Sequence, residues 1–124
     1  MKRDMDLVRQ LLIATENADG PFDAASLALG PDAPSEEEIV YHVRLMEAHG
    51  LVDAAVRRDI TGGYSCTVHG LTWDGCDYLD AVRDGRVWER TKRVVSETVG
   101  STTMDVIKEA AKAVATGLIR AALA

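Results

Sequence analysis

Five side chains that bind metals or act as nucleophiles occur between residues 42 and 76: His42, His49, Cys66, His69 and Cys76. Structural zinc requires four ligands, with pairs at short spacing. Cys66 and His69 form one such pair, but residues three apart on a strand point to opposite faces. A Cys–His nucleophile also needs a third group that orients the base. The pattern therefore predicts no metal site, no cofactor and no catalytic pair.

A second candidate for chemistry is a ridge of carboxylates at Asp74, Asp77, Asp80 and Asp84. Spacings of three and four place these side chains on one face of a helix. Hydrolytic metal chemistry needs carboxylates that converge from several elements, and a single ridge does not provide them. We interpret the ridge as a solvated face and predict that the protein is not an enzyme.

The basic residues do not form a uniform surface. Arg86, Arg90 and Arg93 share one helical stripe, but Asp84 and Glu89 interrupt it, so it is also interpreted as a solvated face. The whole chain has 14 Lys and Arg against 20 Asp and Glu, a net charge of −6. Contact with nucleic acid would therefore require a local cationic patch.

Composition indicates a globular chain of 124 residues, enough for one domain with a terminal appendage. Two cysteines do not make a disulfide framework, which predicts a reducing, cytoplasmic location. The residues after Met1 are charged rather than apolar, and no long uncharged stretch follows. We therefore expect neither a signal peptide nor a membrane span.

The apolar periodicity and the turn residues predict the following elements. A helix over residues 4–17 is capped by Asp4, and residues 22–29 form an edge strand or one helical turn. Ser35 caps a helix that runs to about His49, and Gly50 ends it. A hairpin follows, with arms over residues 51–60 and 64–71.

Three more helices are predicted beyond the hairpin. The first covers residues 73–83 and ends at Gly85, and its apolar set is Trp73, Cys76, Leu79, Ala81 and Val82. The others cover residues 87–99 and a final stretch that reaches about Ala124. We expect a domain over residues 1–84 and a C-terminal helical extension over residues 85–124.

This order of elements resembles a winged helix, a helix-turn-helix variant in which a hairpin follows the recognition helix. The predicted fold is mainly α with a small β-hairpin. The recognition helix would expose positions near Glu37, Val40, Tyr41, Arg44 and Ala48. The residues predicted to contact DNA are Tyr41 and Arg44 on this helix and Arg57 and Arg58 on the hairpin.

The last helix is predicted to join two copies of the chain. Its slender apolar stripe includes Val106, Ala110, Val114 and Leu118. A helix of this length does not hold itself in water on propensity alone, so it needs a packing partner. We expect this stripe to form a homodimer.

Several short segments of the chain match a known sequence pattern: residues 1–7 (MKRDMDL), 35–39 (SEEEI), 41–45 (YHVRL), 50–52 (GLV), 71–75 (LTWDG), 78–84 (YLDAVRD), 87–88 (VW) and 104–109 (MDVIKE). With these segments the chain resembles the phage- and prophage-associated domain-of-unknown-function family numbered 2513. The resemblance implies a small cytoplasmic protein of mobile-element origin, and it transfers no catalytic residue.

Three functions remain open on the sequence. The first is a DNA-binding regulator of winged-helix type that acts as a dimer. The second is an acidic protein-binding module, such as an anti-CRISPR-like inhibitor of a host defence complex, whose carboxylates engage a basic channel. In the third, the hairpin serves only for packing in a larger assembly.

Overall fold

The computed structural model describes residues 1–27, 32–98 and 104–123. Within these ranges the chain forms five α-helices, a short 3-10 helix and a three-stranded antiparallel sheet, so it is mainly helical as predicted. The elements in chain order are α1 (Met5–Asn17), β1 (Phe22–Asp23), the 3-10 helix (Ala24–Ser26), α2 (Glu36–Ala48), β2 (Val52–Arg58), β3 (Tyr64–Leu71), α3 (Trp73–Val82), α4 (Gly85–Thr98) and α5 (Met104–Leu123). None of the helices in these ranges is both long and apolar enough to cross a bilayer.

The chain divides into two compact units, Met1–Cys76 and Asp77–Ala124. We call the first the helix–sheet unit and the second the C-terminal unit. The division falls inside α3, and the sequence-based boundary after residue 84 stays a prediction.

The helix–sheet unit is held by apolar side chains from α1, α2 and the sheet. Asp4 caps α1 as expected, because its Oδ1 accepts hydrogen bonds from the amides of Asp6 (3.0 Å) and Leu7 (3.3 Å). Ser35 caps α2 by accepting from the amide of Glu38 at 3.2 Å. The buried side chains include Leu7, Val8, Leu11 and Leu12 of α1, Ile39, Val40, Val43 and Met46 of α2, and Val52, Cys66 and Val68 of the sheet.

The sheet has the order β1-β3-β2, so the short strand β1 pairs with the far arm of the hairpin. Phe22 lies opposite Val68, and Asp23 lies opposite Thr67. The two alternatives for residues 22–29 both occur, since β1 is followed directly by the 3-10 helix. The end of that predicted segment, residues 28–29, lies outside the described residues.

A buried histidine connects the start of α1 to α2. The Nε2 atom of His42 accepts a hydrogen bond from the amide of Asp4 at 2.8 Å, and its Nδ1 lies 2.7 Å from the carbonyl oxygen of Glu38. An amide can only donate and a carbonyl can only accept, so the ring is neutral with its proton on Nδ1. His42 is therefore a structural side chain and is not available as a metal ligand.

The chain reverses at the end of α2 through a Schellman motif. Gly50 has φ 83°, which glycine adopts without steric cost. The amide of Leu51 donates to the carbonyl of Met46 at 2.8 Å, and that of Gly50 donates to Glu47 at 3.0 Å. Leu51 and Met46, the two positions whose side chains often pack together in this motif, are both buried. The predicted stop at Gly50 is confirmed.

The far end of the hairpin returns to the same turn. The amide of Thr72 donates to the carbonyl of Leu51 at 3.0 Å, and the Thr72 hydroxyl donates to the carbonyl of Gly50. The same hydroxyl oxygen accepts from the amide of Gly75 at 3.0 Å and caps α3. A Cβ atom at position 75 would lie 1.9 Å from the Leu51 carbonyl oxygen. Glycine is therefore required where α3 passes Leu51.

The predicted apolar set of α3 is wrong at two positions. The side chain of Trp73 is 83% exposed, and Cys76 is also exposed. Leu79 and Val82 are buried as expected. Trp73 is the first residue of the helix, where apolar periodicity alone does not determine whether a side chain points inward.

In the C-terminal unit, α4 packs against α5. Asp84 caps α4 by accepting from the amides of Arg86 (2.8 Å) and Val87 (3.3 Å), and these bonds lower the pKa of its carboxyl group. Gly85 is thus the first residue of α4 rather than the stop of α3. The buried side chains of the pair are Val87, Trp88, Thr91 and Val95 of α4 and Ile107 and Ala111 of α5.

Replacing Gly75 with alanine should destabilise the protein because the added methyl group overlaps the Leu51 carbonyl. We expect a loss of about 2–3 kcal/mol in the free energy of unfolding, as for an overpacked site. Urea denaturation followed by circular dichroism measures it. Gly85→Ala is the matched control, since a Cβ there meets no atom within 4 Å. Equal urea midpoints for the two variants would contradict the close approach.

Candidate nucleic-acid interface

The exposed side of α2 presents a short row of polar side chains. Glu37 and Arg44 are exposed and Tyr41 is half-buried, at helical spacing along one side. Val40 was expected on this side but is only 3% exposed and belongs to the core. A β-branched side chain next to a polar row is assigned to either face equally well by its spacing, so the sequence alone did not place it.

The hairpin completes this face of the helix–sheet unit. A hollow of about 320 Å³ is lined by Met1, Glu37, Val40, Tyr41, Arg44, Arg58 and Tyr64. We call it the α2–hairpin hollow. Three of the four predicted DNA-contacting residues, Tyr41, Arg44 and Arg58, therefore meet around one depression.

Two contacts hold the hairpin side of the hollow. Arg58 and Tyr64 are directly opposite in the register of β2 and β3, and the Arg58 guanidinium carbon lies 5.6 Å from the centre of the Tyr64 ring. Such a cation–π contact restrains the arginine side chain, and because the ring carries no net charge the guanidinium keeps its positive charge. The amide of Tyr64 also donates to Glu36 Oε1 at 2.9 Å, which ties the start of β3 to the first turn of α2.

Arg57 does not join the other three predicted residues. Side chains alternate along a strand, so Arg57 and Arg58 lie on opposite faces of the sheet. Arg57 lines a separate hollow of about 300 Å³ on the outer face, together with Ala55, Ser65, Thr67 and His69. The structure therefore divides the predicted hairpin pair between two surfaces.

Sequence reasoning missed Tyr64, Met1 and Glu36 as parts of this region. The predicted arms over residues 51–60 and 64–71 place Tyr64 opposite Ile60, whereas β2 ends at Arg58, so Tyr64 lies opposite Arg58 instead. The contribution of Met1 depends on how α1 packs beside α2, and the Glu36–Tyr64 bond joins residues 28 apart. No local signal in the sequence marks either of these.

The metal and nucleophile candidates are separated by the fold. Cys66 is buried on the inner face of the sheet, whereas His69 is exposed on the outer face. Across residues 1–27, 32–98 and 104–123, no group of three or more His, Cys, Asp or Glu side chains is placed to hold a metal ion.

The residues predicted to form a dimer lie on α5 beside its buried stripe. Val106, Ala110 and Val114 are half-buried, and Leu118 is exposed. Among the side chains of α5 whose burial is described, their neighbours Ile107 and Ala111 are fully buried, in the unit where α5 packs against α4. The role of the four predicted residues in dimerisation stays a prediction.

Comparison with known proteins identifies the family of this chain. Residues 2–102 match the family described as "Hypothetical protein (DUF2513)". The chain belongs to this family. The family predicted from the sequence motifs is thus confirmed, and the match covers all of those motifs except Met1 and the segment 104–109.

A relative of this DUF2513 protein occurs in Haemophilus influenzae (strain ATCC 51907 / DSM 11121 / KW20 / Rd), where it is named "Uncharacterized protein". The two are 29% identical over 117 residues, which cover 92% of this chain and 95% of the relative. The family match covers the helix–sheet unit from residue 2 onward and ends at residue 102, before α5 begins.

Charge is distributed unevenly along the DUF2513 chain. The helix–sheet unit has six Lys and Arg against thirteen Asp and Glu, a net charge of −7, while the C-terminal unit has eight against seven. Five of the six cations occur in three short segments: Lys2 and Arg3 directly follow Met1, Arg44 is on α2, and Arg57 and Arg58 end β2. Arg44 and Arg58 line the α2–hairpin hollow together with Met1 and the carboxylate of Glu37, whereas Arg57 lines the separate hollow on the outer face.

The two thiols of the DUF2513 protein should differ in reactivity. Cys66 is fully buried, and burial raises the pKa of its thiol to about 11, with a smaller contribution from the nearby Asp23 carboxylate. The thiolate is the reactive form, so Cys66 is inert at neutral pH. Cys76 is exposed. We expect Ellman's reagent to modify one thiol in the native protein and two after unfolding.

The variant Cys76→Ser assigns the reactive thiol. In the native state it should release no thionitrobenzoate on the timescale on which the wild-type protein reacts. Rapid reaction of the folded Cys76→Ser variant would show that Cys66 is accessible and would contradict the buried position.

Proposed function

We propose that this DUF2513 protein is a non-enzymatic DNA-binding regulator whose helix–sheet unit is a winged helix. The order α1, β1, 3-10 helix, α2, β2, β3 and the strand order β1-β3-β2 support the proposal, since a winged helix pairs the strand after its first helix with the far arm of the wing. The 3-10 helix at Ala24–Ser26 takes the position of the usual second helix. In this arrangement α2 is the recognition helix and the β2–β3 hairpin is the wing.

The observation that carries the DNA-binding proposal is the convergence of Arg44, Arg58, Tyr41 and Tyr64 on the α2–hairpin hollow. Arginine forms bidentate hydrogen bonds to guanine edges and to phosphates, and tyrosine hydroxyls donate to phosphate oxygens. Arg44 is exposed, and neither it nor Arg58 makes an ion pair with a carboxylate among the described residues. Their charges therefore remain available to a polyanion.

Carboxylates near the recognition helix limit how it can approach DNA. Glu36 accepts from the Tyr64 amide, so its carboxylate is engaged in the fold. Glu37 lines the hollow one turn before Tyr41, where a carboxylate repels phosphate but accepts from the amino group of cytosine. On this proposal, phosphates are held by the arginines, and Glu37 faces a base edge.

The charge of the unit supports a second function. With a net charge of −7, the helix–sheet unit is suited to a basic protein surface, and tyrosine, arginine and methionine are the residue types enriched at protein interfaces. On this alternative the same hollow binds a protein, and the carboxylates engage the nucleic-acid channel of a host defence complex. Both proposals include a phage origin for the protein.

Duplex binding at varied salt tests the first proposal directly. Fluorescence anisotropy with a labelled duplex should show an affinity that falls steeply between about 50 and 200 mM salt. The double variant Arg44→Ala/Arg58→Ala should bind more weakly at low salt and should lower the slope of log K against log salt by about 2, since each lost phosphate contact reduces it by about 1.

The matched control is Arg90→Ala/Arg93→Ala, which removes the same charge from exposed positions on α4. Its affinity and salt slope should equal those of the wild-type protein. Undetectable duplex binding by the wild-type protein at about 50 mM salt would contradict the DNA proposal and favour the protein-binding alternative. Loss of binding in the control alone would place the contact on α4 and would also contradict it.

A further inference from the structure

The outer face of the sheet carries a second concave surface that the proposed DNA contact does not use. It is the hollow of about 300 Å³ lined by Ala55, Arg57, Ser65, Thr67 and His69. All five residues lie on β2 or β3, within the helix–sheet unit. We call it the outer-sheet hollow.

Strand register explains why these side chains share one surface. Arg57 lies opposite Ser65, and Ala55 lies opposite Thr67. Directly opposed residues on one face of an antiparallel pair have their Cβ atoms about 5 Å apart. His69 lines the same hollow from a β-bulge in β3, where the register shifts between the Ala54–Val68 and Asp53–Gly70 pairs. Ala55 has only a methyl group, and the depression forms over it between larger neighbours.

The side chains that line the hollow are all hydrogen-bond donors apart from Ala55. Arginine presents five N–H groups, the hydroxyls of Ser65 and Thr67 can each donate one hydrogen bond, and an imidazole donates from its protonated nitrogen. Among the described residues, none of these four side chains makes a hydrogen bond or an ion pair within the chain. Their donors are therefore free to converge on a bound group.

The carboxylates of Asp23 and Asp53 lie on this face but outside the lining of the hollow. Asp23 of β1 lies directly opposite Thr67 and shares its face, but its Oδ1 accepts from the amides of Ala25 (3.0 Å) and Cys66 (3.3 Å). Asp53 lies two residues before Ala55 on β2, so its side chain projects from the same face of the sheet, but it does not line the hollow. A cationic arginine surrounded by hydroxyl and imidazole donors is a combination that suits an oxyanion.

We propose that the outer-sheet hollow binds a phosphate group, with Arg57 as the charged ligand and Ser65, Thr67 and His69 as further donors. The phosphate belongs either to a nucleic-acid backbone or to a small phosphorylated molecule. The site does not depend on the α2–hairpin hollow, since Arg58 and Arg57 lie on opposite faces of the sheet.

Inorganic phosphate, titrated at constant ionic strength into the full-length ¹⁵N-labelled protein, tests the site. The amide shifts should concentrate at residues 55, 57, 65, 67 and 69 and should saturate with a dissociation constant on the order of 1 mM. Arg57→Ala should weaken binding about tenfold, because a charge-assisted hydrogen bond is lost. Ala55→Leu should abolish binding by filling the hollow while leaving every charge in place.

Two further variants keep the test decisive. Thr67→Val preserves size and strand propensity but removes one donor, so it should weaken binding even if Ala55→Leu fails to fold. Arg93→Ala removes one charge from α4 and should bind phosphate as the wild-type protein does. Shifts scattered over all cationic residues, or wild-type affinity in both Arg57→Ala and Thr67→Val, would overturn the proposal.

Two competing probes distinguish the source of the phosphate. A nucleoside monophosphate that shifts the same amides, with no effect from a duplex, indicates a small phosphorylated ligand. A duplex that shifts them and loses the effect in Arg57→Ala indicates the nucleic-acid backbone. If the Arg44→Ala/Arg58→Ala variant still binds inorganic phosphate while no duplex binds the wild-type protein, the DNA proposal fails and the phosphate site stands.

Discussion

The turn at Gly50–Leu51 is the constraint on which the helix–sheet unit depends, because three elements meet there. It ends α2 through the amide of Leu51, which donates to Met46 at 2.8 Å, and β2 begins at the next residue, Val52. The carbonyls of Gly50 and Leu51 then accept from Thr72, which caps α3. One reversal therefore fixes the exit of the helix, both ends of the hairpin and the start of the next helix.

This junction determines which surfaces the hairpin offers. Because the hairpin is held at its base and by the Glu36–Tyr64 bond, β2 and β3 keep one face toward α2 and one face outward. Two consecutive arginines therefore line different hollows: Arg58 lines the α2–hairpin hollow, and Arg57 lines the outer-sheet hollow. A unit with a net charge of −7 thus presents arginine side chains in two separate hollows, Arg44 and Arg58 in one and Arg57 in the other.

Local sequence signals were sufficient to predict the helices and the hairpin, but they did not always predict which side of an element is buried. Capping by Ser35 and the stop at Gly50 are consequences of nearby backbone geometry, so the sequence alone located them. The pairing of β1 with β3 joins residues that are distant in the sequence, and the sequence predicted only that residues 22–29 could form an edge strand.

On α5 the predicted stripe lies one residue away from the buried pair Ile107 and Ala111, because an alanine-rich helix has little contrast between its faces. Strand alternation alone places Arg57 and Arg58 on opposite faces of the sheet, whereas the prediction of a shared DNA contact groups them by charge.

The most direct test of this account is the stability of Gly50 variants, since a Cβ atom at this position meets nothing within 4 Å and only the positive φ is at issue. Gly50→Ala should lose about 1–2 kcal/mol of unfolding free energy in urea denaturation, the cost of the left-handed conformation for a residue with a Cβ. Gly50→Asn should lose less, because asparagine tolerates that conformation better. Alanine and asparagine variants as stable as the wild-type protein would show that the chain does not reverse through a left-handed residue here, and would contradict the account.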